Sequence, residues 1–162
     1  MKTQEFKYMI YGDSALLGEL LFLAFKRIDG YNDEFPIDIA GREPHWGERK
    51  IRVFPLDKCR FEDVYEIFPK NALRECSIFN LEISYSYQRN GKKGYATKDV
   101  YRVELSYEEE KRILTITFTR LRGLGRTFPR FLVSLLQKKI EEIVYEKRRY
   151  RNLVIREIPS PY

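Results

Sequence analysis

The sequence predicts a single α+β domain over residues 1–162, an antiparallel sheet packed on one face by two long helices. Three observations predict it. Apolar residues alternate with polar ones through Phe79, Leu81, Ile83, Tyr85 and Tyr87, again through Tyr101, Val103, Leu105 and Tyr107, and again through Leu114, Ile116 and Phe118. A period of two marks strands with one apolar face. Two other stretches, 14–28 and 128–144, carry the dense or three-and-four spacing of buried helices. Finally, 162 residues with 43% hydrophobic and 33% charged side chains suffice for one core, leave no room for a second domain, and exclude disordered, collagenous and coiled-coil chains.

Residues 6–11 read as a short strand stopped at Gly12. Asp13-Ser14 then offers a side-chain oxygen to the free N–H groups of a first turn and opens a helix reaching Ile28. This helix is apolar nearly all round, leaving only Gly18 and Glu19 for water, so it is expected to be buried on several sides or to sit in an interface. Residues 29–50 hold Gly30, Pro36, Gly41, Pro44 and Gly47 without a sustained period and read as a long loop or irregular insertion. Residues 51–54 form a short strand, and Asp57 caps a helix with Phe61, Val64, Tyr65 and Phe68 on one side before Pro69 ends it.

The alternating segments form a three-strand meander over residues 78–120, with short flanking strands beside it. If Asn90 faces Gly94 across the first turn, Phe79 opposes Leu105, Leu81 opposes Val103 and Ile83 opposes Tyr101. A four-residue turn over 108–111 then sets Leu105 against Leu114, Val103 against Ile116, and Asp99 against Arg120 as a cross-strand ion pair. Thr127 is expected to cap the last helix, with Pro129 in its first turn and a stripe of Phe128, Phe131, Leu132, Leu135, Leu136, Ile140, Ile143 and Val144 to cover the sheet. A final strand covers 154–158 before Pro159.

Composition narrows the function classes. Two cysteines, Cys59 and Cys76, lack metal-ligand spacing, and His45 is the single histidine, so neither a structural zinc nor a cofactor is expected. Two isolated thiols and the lack of a signal-like N-terminus point to a cytoplasmic protein. The longest apolar run, residues 20–25, is far short of the roughly 20 residues a bilayer-spanning helix needs, so no membrane partner is expected. Aromatic residues reach 15%, which raises base stacking, but the register assigns Phe79, Tyr85, Tyr87, Tyr101 and Phe118 to the apolar face of the sheet. The opposite face carries Ser, Thr, Asn and Gln with Lys98 and Arg102, and no aromatic platform.

Charge is the main functional signal. The chain carries +6 overall, but residues 120–162 alone hold 11 Lys and Arg against 4 Glu. A phosphate backbone is the expected partner of Arg122, Arg126 and Arg130 in one group and of Lys147, Arg148, Arg149 and Arg151 in another. The ordinary reading of the same residues is a solvated face that complements the end of a helix dipole. Gly123-x-Gly125 ahead of a helix suits either close approach to a phosphate or simply a turn. A third class is a protein-binding or inhibitory module, homodimer included, using tyrosines, arginines and the apolar first helix.

Three segments resemble enzyme families. Gly12-Asp13-Ser14 between strand and helix resembles the nucleophile block of the SGNH hydrolases, although helix capping accounts for the same residues. Glu19, Asp38 and Glu48-Arg49-Lys50 form an acidic-acidic-x-Lys pattern similar to the PD-(D/E)xK nucleases, a resemblance that implies carboxylates holding a divalent cation; Glu48 itself reads as loop. A strand, a helix, a loop holding His45 and Lys50, and a second strand look like the opening of the CRISPR repeat-processing endoribonucleases. That resemblance implies His45 as general base, Lys50 as charge stabiliser and Tyr31 as a positioner.

Overall fold

The computed structural model describes residues 3–37, 45–56, 73, 76–89, 92–93, 97–123 and 127–159. The helix expected after Asp57 lies outside them. Strands are β1 (Thr3–Tyr11), β2 (Asn32–Ile37), β3 (His45–Pro55), β4 (Ile78–Arg89), β5 (Lys92–Lys93), β6 (Thr97–Glu108), β7 (Ile113–Arg122) and β8 (Val154–Glu157). They form one antiparallel sheet in the order β2-β3-β4-β6-β7-β1-β8, with β5 on β4. Helices α1 (Leu17–Ile28) and α2 (Phe128–Glu146) lie against its apolar face. The α+β antiparallel class therefore stands.

β1 places Phe6, Tyr8 and Ile10 inward by strict alternation and pairs with β7 on one side and β8 on the other. Gly12, at φ +92°, then turns the chain; any Cβ there would stand 1.7 Å from the Asn152 carbonyl oxygen. Asp13 caps as expected, its Oδ1 accepting from the Ala15 N–H at 3.2 Å, but what it opens is a short 3-10 turn (Ser14–Leu16) that leads into α1. Phe25 stacks on Phe79 with ring centroids 4.4 Å apart, and Phe22 lies beside the same ring at 6.2 Å. Helix α2 covers the same face through Phe128, whose ring sits 5.4 Å from that of Tyr101. Thr127, contrary to expectation, makes no side-chain cap hydrogen bond, while Pro129 does occupy the first turn.

Four expectations need correction. Residues 29–50 are largely not an irregular insertion: β2 and β3 pair from Asn32↔Lys50 to Ile37↔His45, and Asp29 to Tyr31 are stitched to β3. The Asp29 carboxylate accepts from the Val53 N–H at 2.9 Å, and Gly30 N–H donates to the Ile51 carbonyl at 2.8 Å. Pro36 and Gly47 sit within the paired strands, so these residues do not interrupt the pairing. Second, the register of the central strands is displaced by two residues: Phe79 meets Val103, Leu81 meets Tyr101, and Ile83 meets Asp99. The turn differs from the one assumed, because Arg89 pairs with Lys92 before the chain reaches β6. A shift of two keeps every side chain on its face, so the core survives the error.

Third, the turn into β7 falls one residue later, over 109–112, and pairs Leu105 with Ile116 and Val103 with Phe118. Arg112 takes the left-handed conformation (φ 57°), its carbonyl accepts from the Ile10 N–H at 2.9 Å, and its Nε donates to the Ile10 carbonyl at 2.8 Å. It thus ties the end of β1 just before Gly12. Fourth, Gly18 and Glu19 do not face water; both are buried.

Cys76 is disulfide-bonded, its partner lying outside the described residues, which corrects the reading of two isolated thiols and removes that premise for a reducing location. Among the described residues no helix is long and apolar enough to cross a membrane.

Candidate functional site

The basic residues after α2 are held by an acid far upstream. Helix α2 ends when the Lys147 N–H donates to the Ile143 carbonyl at 2.9 Å, and residues Arg148–Tyr150 form a 3-10 turn closed by Arg151 N–H to the Arg148 carbonyl at 3.1 Å. Tyr150 is the buried member, and its hydroxyl donates to Glu19 Oε1 at 2.8 Å. Arg149 Nε donates to the same oxygen at 2.6 Å and a second guanidinium nitrogen reaches Oε2 at 3.3 Å. A buried carboxylate on the apolar helix α1 needs hydrogen-bond and charge partners to offset its lost hydration, and these two residues supply them. Burial, reinforced by Glu19, raises the Tyr150 hydroxyl above its ordinary range, and the Glu19 hydrogen bond raises the Arg149 guanidinium.

This latch divides the sequence cluster. Arg149 is joined to Glu19, whereas Lys147, Arg148 and Arg151 are exposed and form no ion pair among the described residues. In a 3-10 turn, side chains three apart eclipse, so Arg148 and Arg151 stand on one side of the turn.

The other group sits elsewhere. Arg130 lies in the first turn of α2 and Lys147 just beyond its last, which at 1.5 Å per residue puts them roughly 25 Å apart. Arg130 Nη1 bonds Glu157 Oε1 at 2.7 Å, and its guanidinium lies over the Phe6 ring at 4.7 Å. Arg122 is exposed at the end of β7, and Arg126 lies outside the described residues, as does Gly125. Gly123, at φ +98°, has its open side filled by the Asp99 carboxylate, which would stand 1.7 Å from a Cβ there. Burial, then the charge of Asp99 and the hydrogen bond Tyr85 gives it, raises the Tyr85 hydroxyl; Arg120 stands opposite Tyr101 rather than Asp99.

The candidates within 29–50 are not gathered at one point. Glu48 and Lys50 point outward from β3, alternating with the inward Arg49 and Ile51. Glu48 is therefore strand, not loop, but α1 and its Glu19 lie across the sheet from it. Tyr31 is on the helix side, its ring 6.3 Å from that of Phe131, again across the sheet from Lys50. His45 opens β3 opposite Ile37, and Asp38 lies outside the described residues. Among the described residues no three His, Cys, Asp or Glu side chains are grouped to hold a metal ion. What sequence reasoning passed over is Arg49: it bonds Asp33 twice, Nε to Oδ1 at 2.8 Å, and its guanidinium lies 3.6 Å over the Phe131 ring. Extending the alternation of Ile51 and Val53 backward would have pointed it inward.

The outer face of the sheet mixes its charges. Lys98 pairs with Glu82 at 3.2 Å, and Arg102 stands between Asn80 and Thr119 in register. Among the described residues such a face presents no single-sign field to a polyanion. No family model, curated protein or solved structure matches this chain.

Proposed function

We propose that this chain binds the phosphate backbone of a nucleic acid through Lys147, Arg148 and Arg151, without a cofactor. The observation that carries the reading is the turn itself: three outward cations on a 3-10 turn whose fourth cation and single tyrosine are fastened to Glu19. Fixing the turn beforehand lowers the ordering cost of an electrostatic contact, and release of condensed counterions supplies the affinity. Arg122 and Arg126 would extend the contact only for a ligand long enough to follow α2. Arg130 contributes less, because Glu157 already neutralises it.

Binding of single- and double-stranded DNA and RNA at about 50 and 200 mM salt tests this. The expected result is affinity that falls steeply with salt, and a triple Lys147→Ala, Arg148→Ala, Arg151→Ala variant whose log–log salt slope is smaller by about 2–3. No binding at low salt, or an unchanged slope in the triple variant, overturns the proposal.

A further inference from the structure

A second surface lies at the opposite edge of the sheet from β2. Among the described residues β8 is an edge strand, paired with β1 alone. The Ile158 N–H donates to the Lys7 carbonyl at 2.8 Å, and antiparallel bonding alternates residue by residue. Residues 154, 156 and 158 therefore face β1, while the N–H and C=O groups of Ile155 and Glu157 point away from the sheet. Beside this edge, between β8 and α2, runs a groove of about 380 Å³ lined by Tyr8, Arg130, Val133, Ser134, Ile155 and Glu157, among others.

The groove holds an open donor. Tyr8 is 5% exposed, it makes no hydrogen bond among the described residues, and its ring is fixed in the core. Its hydroxyl feels the charges of both Glu157 and Arg130 and stays protonated, burial pushing it up to about 12. Arg130 uses Nη1 for Glu157 and keeps further N–H groups. Glu157 offsets one cation of the groove, but the lining also includes Arg156, so two guanidinium groups stand against one carboxylate, and the Tyr8 O–H with the remaining Arg130 N–H groups can receive a second carboxylate. Val133 and Ile155 supply an apolar base for the stem of such a side chain.

We propose that the β8 edge binds an extended segment of a partner polypeptide as an added strand, with an acidic side chain of that segment entering the groove to meet Tyr8 and Arg130. Added strands gain affinity from backbone bonds and specificity from alternate side chains in pockets, and here both are adjacent. A second copy of this chain is a poor occupant. Antiparallel self-pairing that joins Ile155 to Glu157 in both directions sets Arg156 directly against Arg156, and like charges opposite one another are destabilising. The net charge of +6 favours an acidic segment over a basic one in addition.

Fluorescence anisotropy with labelled hexapeptides tests this on the intact chain. The probe is Thr-Glu-Thr-Glu-Thr-Glu, compared with Thr-Lys-Thr-Lys-Thr-Lys and with two forms of the glutamate peptide N-methylated at alternate residues. The glutamate peptide is expected to bind at least tenfold more tightly than the lysine peptide, with one N-methyl frame abolishing binding and the other tolerated. Tyr8→Phe, which keeps the ring in the core, is expected to weaken binding about tenfold with its melting temperature unchanged, which converts to about 1.4 kcal/mol. The Lys147, Arg148, Arg151 triple variant keeps full peptide affinity, so failure here is separable from failure of nucleic-acid binding. Equal binding of the two charge types, equal effects of the two methyl frames, an unaffected Tyr8→Phe, or no binding at millimolar peptide each overturns the proposal.

Discussion

The two ends of α2 begin alike and finish differently. Each is flanked by arginines, each lies beside a glycine of positive φ, and each has an acid from a distant part of the chain. At the N-terminal end Glu157 takes Arg130, Phe6 lies beneath the same guanidinium, and Gly123 seats a side chain, Asp99. At the C-terminal end Glu19 takes Arg149 together with Tyr150, and Gly12 seats a backbone carbonyl, that of Asn152. Each acid thus neutralises one arginine. The second acid also fixes a turn that turns three more cations outward. Charge counted along the chain is therefore a poor guide to charge available to a ligand; what decides is which cations a remote carboxylate reaches, and what backbone it stiffens in doing so.

The hardest way to break this contrast is at the two glycines. Gly12→Ala puts a Cβ into a carbonyl that cannot step aside and forces a strained φ, so a loss of about 2–4 kcal/mol is expected in urea unfolding. Gly123→Ala meets a carboxylate that can rotate away from Tyr85, so its loss is expected to be the smaller of the two. The reverse order would mean that the Asn152 carbonyl does not hold the C-terminal end.

Next comes the latch. Glu19→Ala leaves the buried Tyr150 hydroxyl without an acceptor, an expected cost of about 1–3 kcal/mol. Glu19→Gln keeps an oxygen for that hydroxyl and should cost distinctly less. In both variants the salt slope for nucleic acid is expected to stay near that of the parent, since Lys147, Arg148 and Arg151 remain, while affinity falls with the loosened turn. A slope larger than the parent's by about 0.9 would show that the released Arg149 joins the contact.

Much of this was legible beforehand, and the exceptions share a cause. The period-two segments and the apolar stripe of α2 are local patterns, and local patterns place Phe79, Leu81, Val103 and Phe118 in the core even when the register is wrong by two. Residues whose role depends on a distant partner were misread. Glu19 sat alone on an apolar helix and was assigned to water, because its partners Arg149 and Tyr150 are 130 residues on. Arg49 reads in the sequence as no more than the spacer between Glu48 and Lys50, and nothing local marks Arg112; their partners Phe131 and Ile10 are distant in the chain. The candidate site was thus half legible: the 147–151 run was visible as charge, its division into one fastened and three outward cations was not.

High pH offers a milder probe of the same ends. Burial holds Tyr8 at about 12, and burial with Glu19 raises Tyr150, so both bind their protons more tightly folded than unfolded, where a phenol titrates near 10. Their contribution is complete below about pH 10 and is lost as pH climbs through the raised folded values. The urea midpoint is expected to be level up to about pH 9 and to fall above about 10, with Tyr150→Phe flattening that fall. A midpoint falling no more steeply in the parent than in Tyr150→Phe would mean the Tyr150 proton is not held by the fold.

The smallest expected effect is the most discriminating for nucleic acid. Arg130 and Glu157 are half exposed, and such pairs contribute about 0–1 kcal/mol, so Arg130→Gln should barely move the melting temperature. It should also leave nucleic-acid affinity within about twofold, whereas Arg148→Gln should lower the salt slope by about 0.9. Glu157→Gln turns the comparison round. It removes one negative charge and releases Arg130 at the N-terminal end of α2, so affinity for a long polyanion should rise rather than fall, while a ligand too short to reach along α2 from the 147–151 turn should not notice the change. If short and long ligands respond equally, Arg130 and the turn act as one field, and the two ends are not distinct after all.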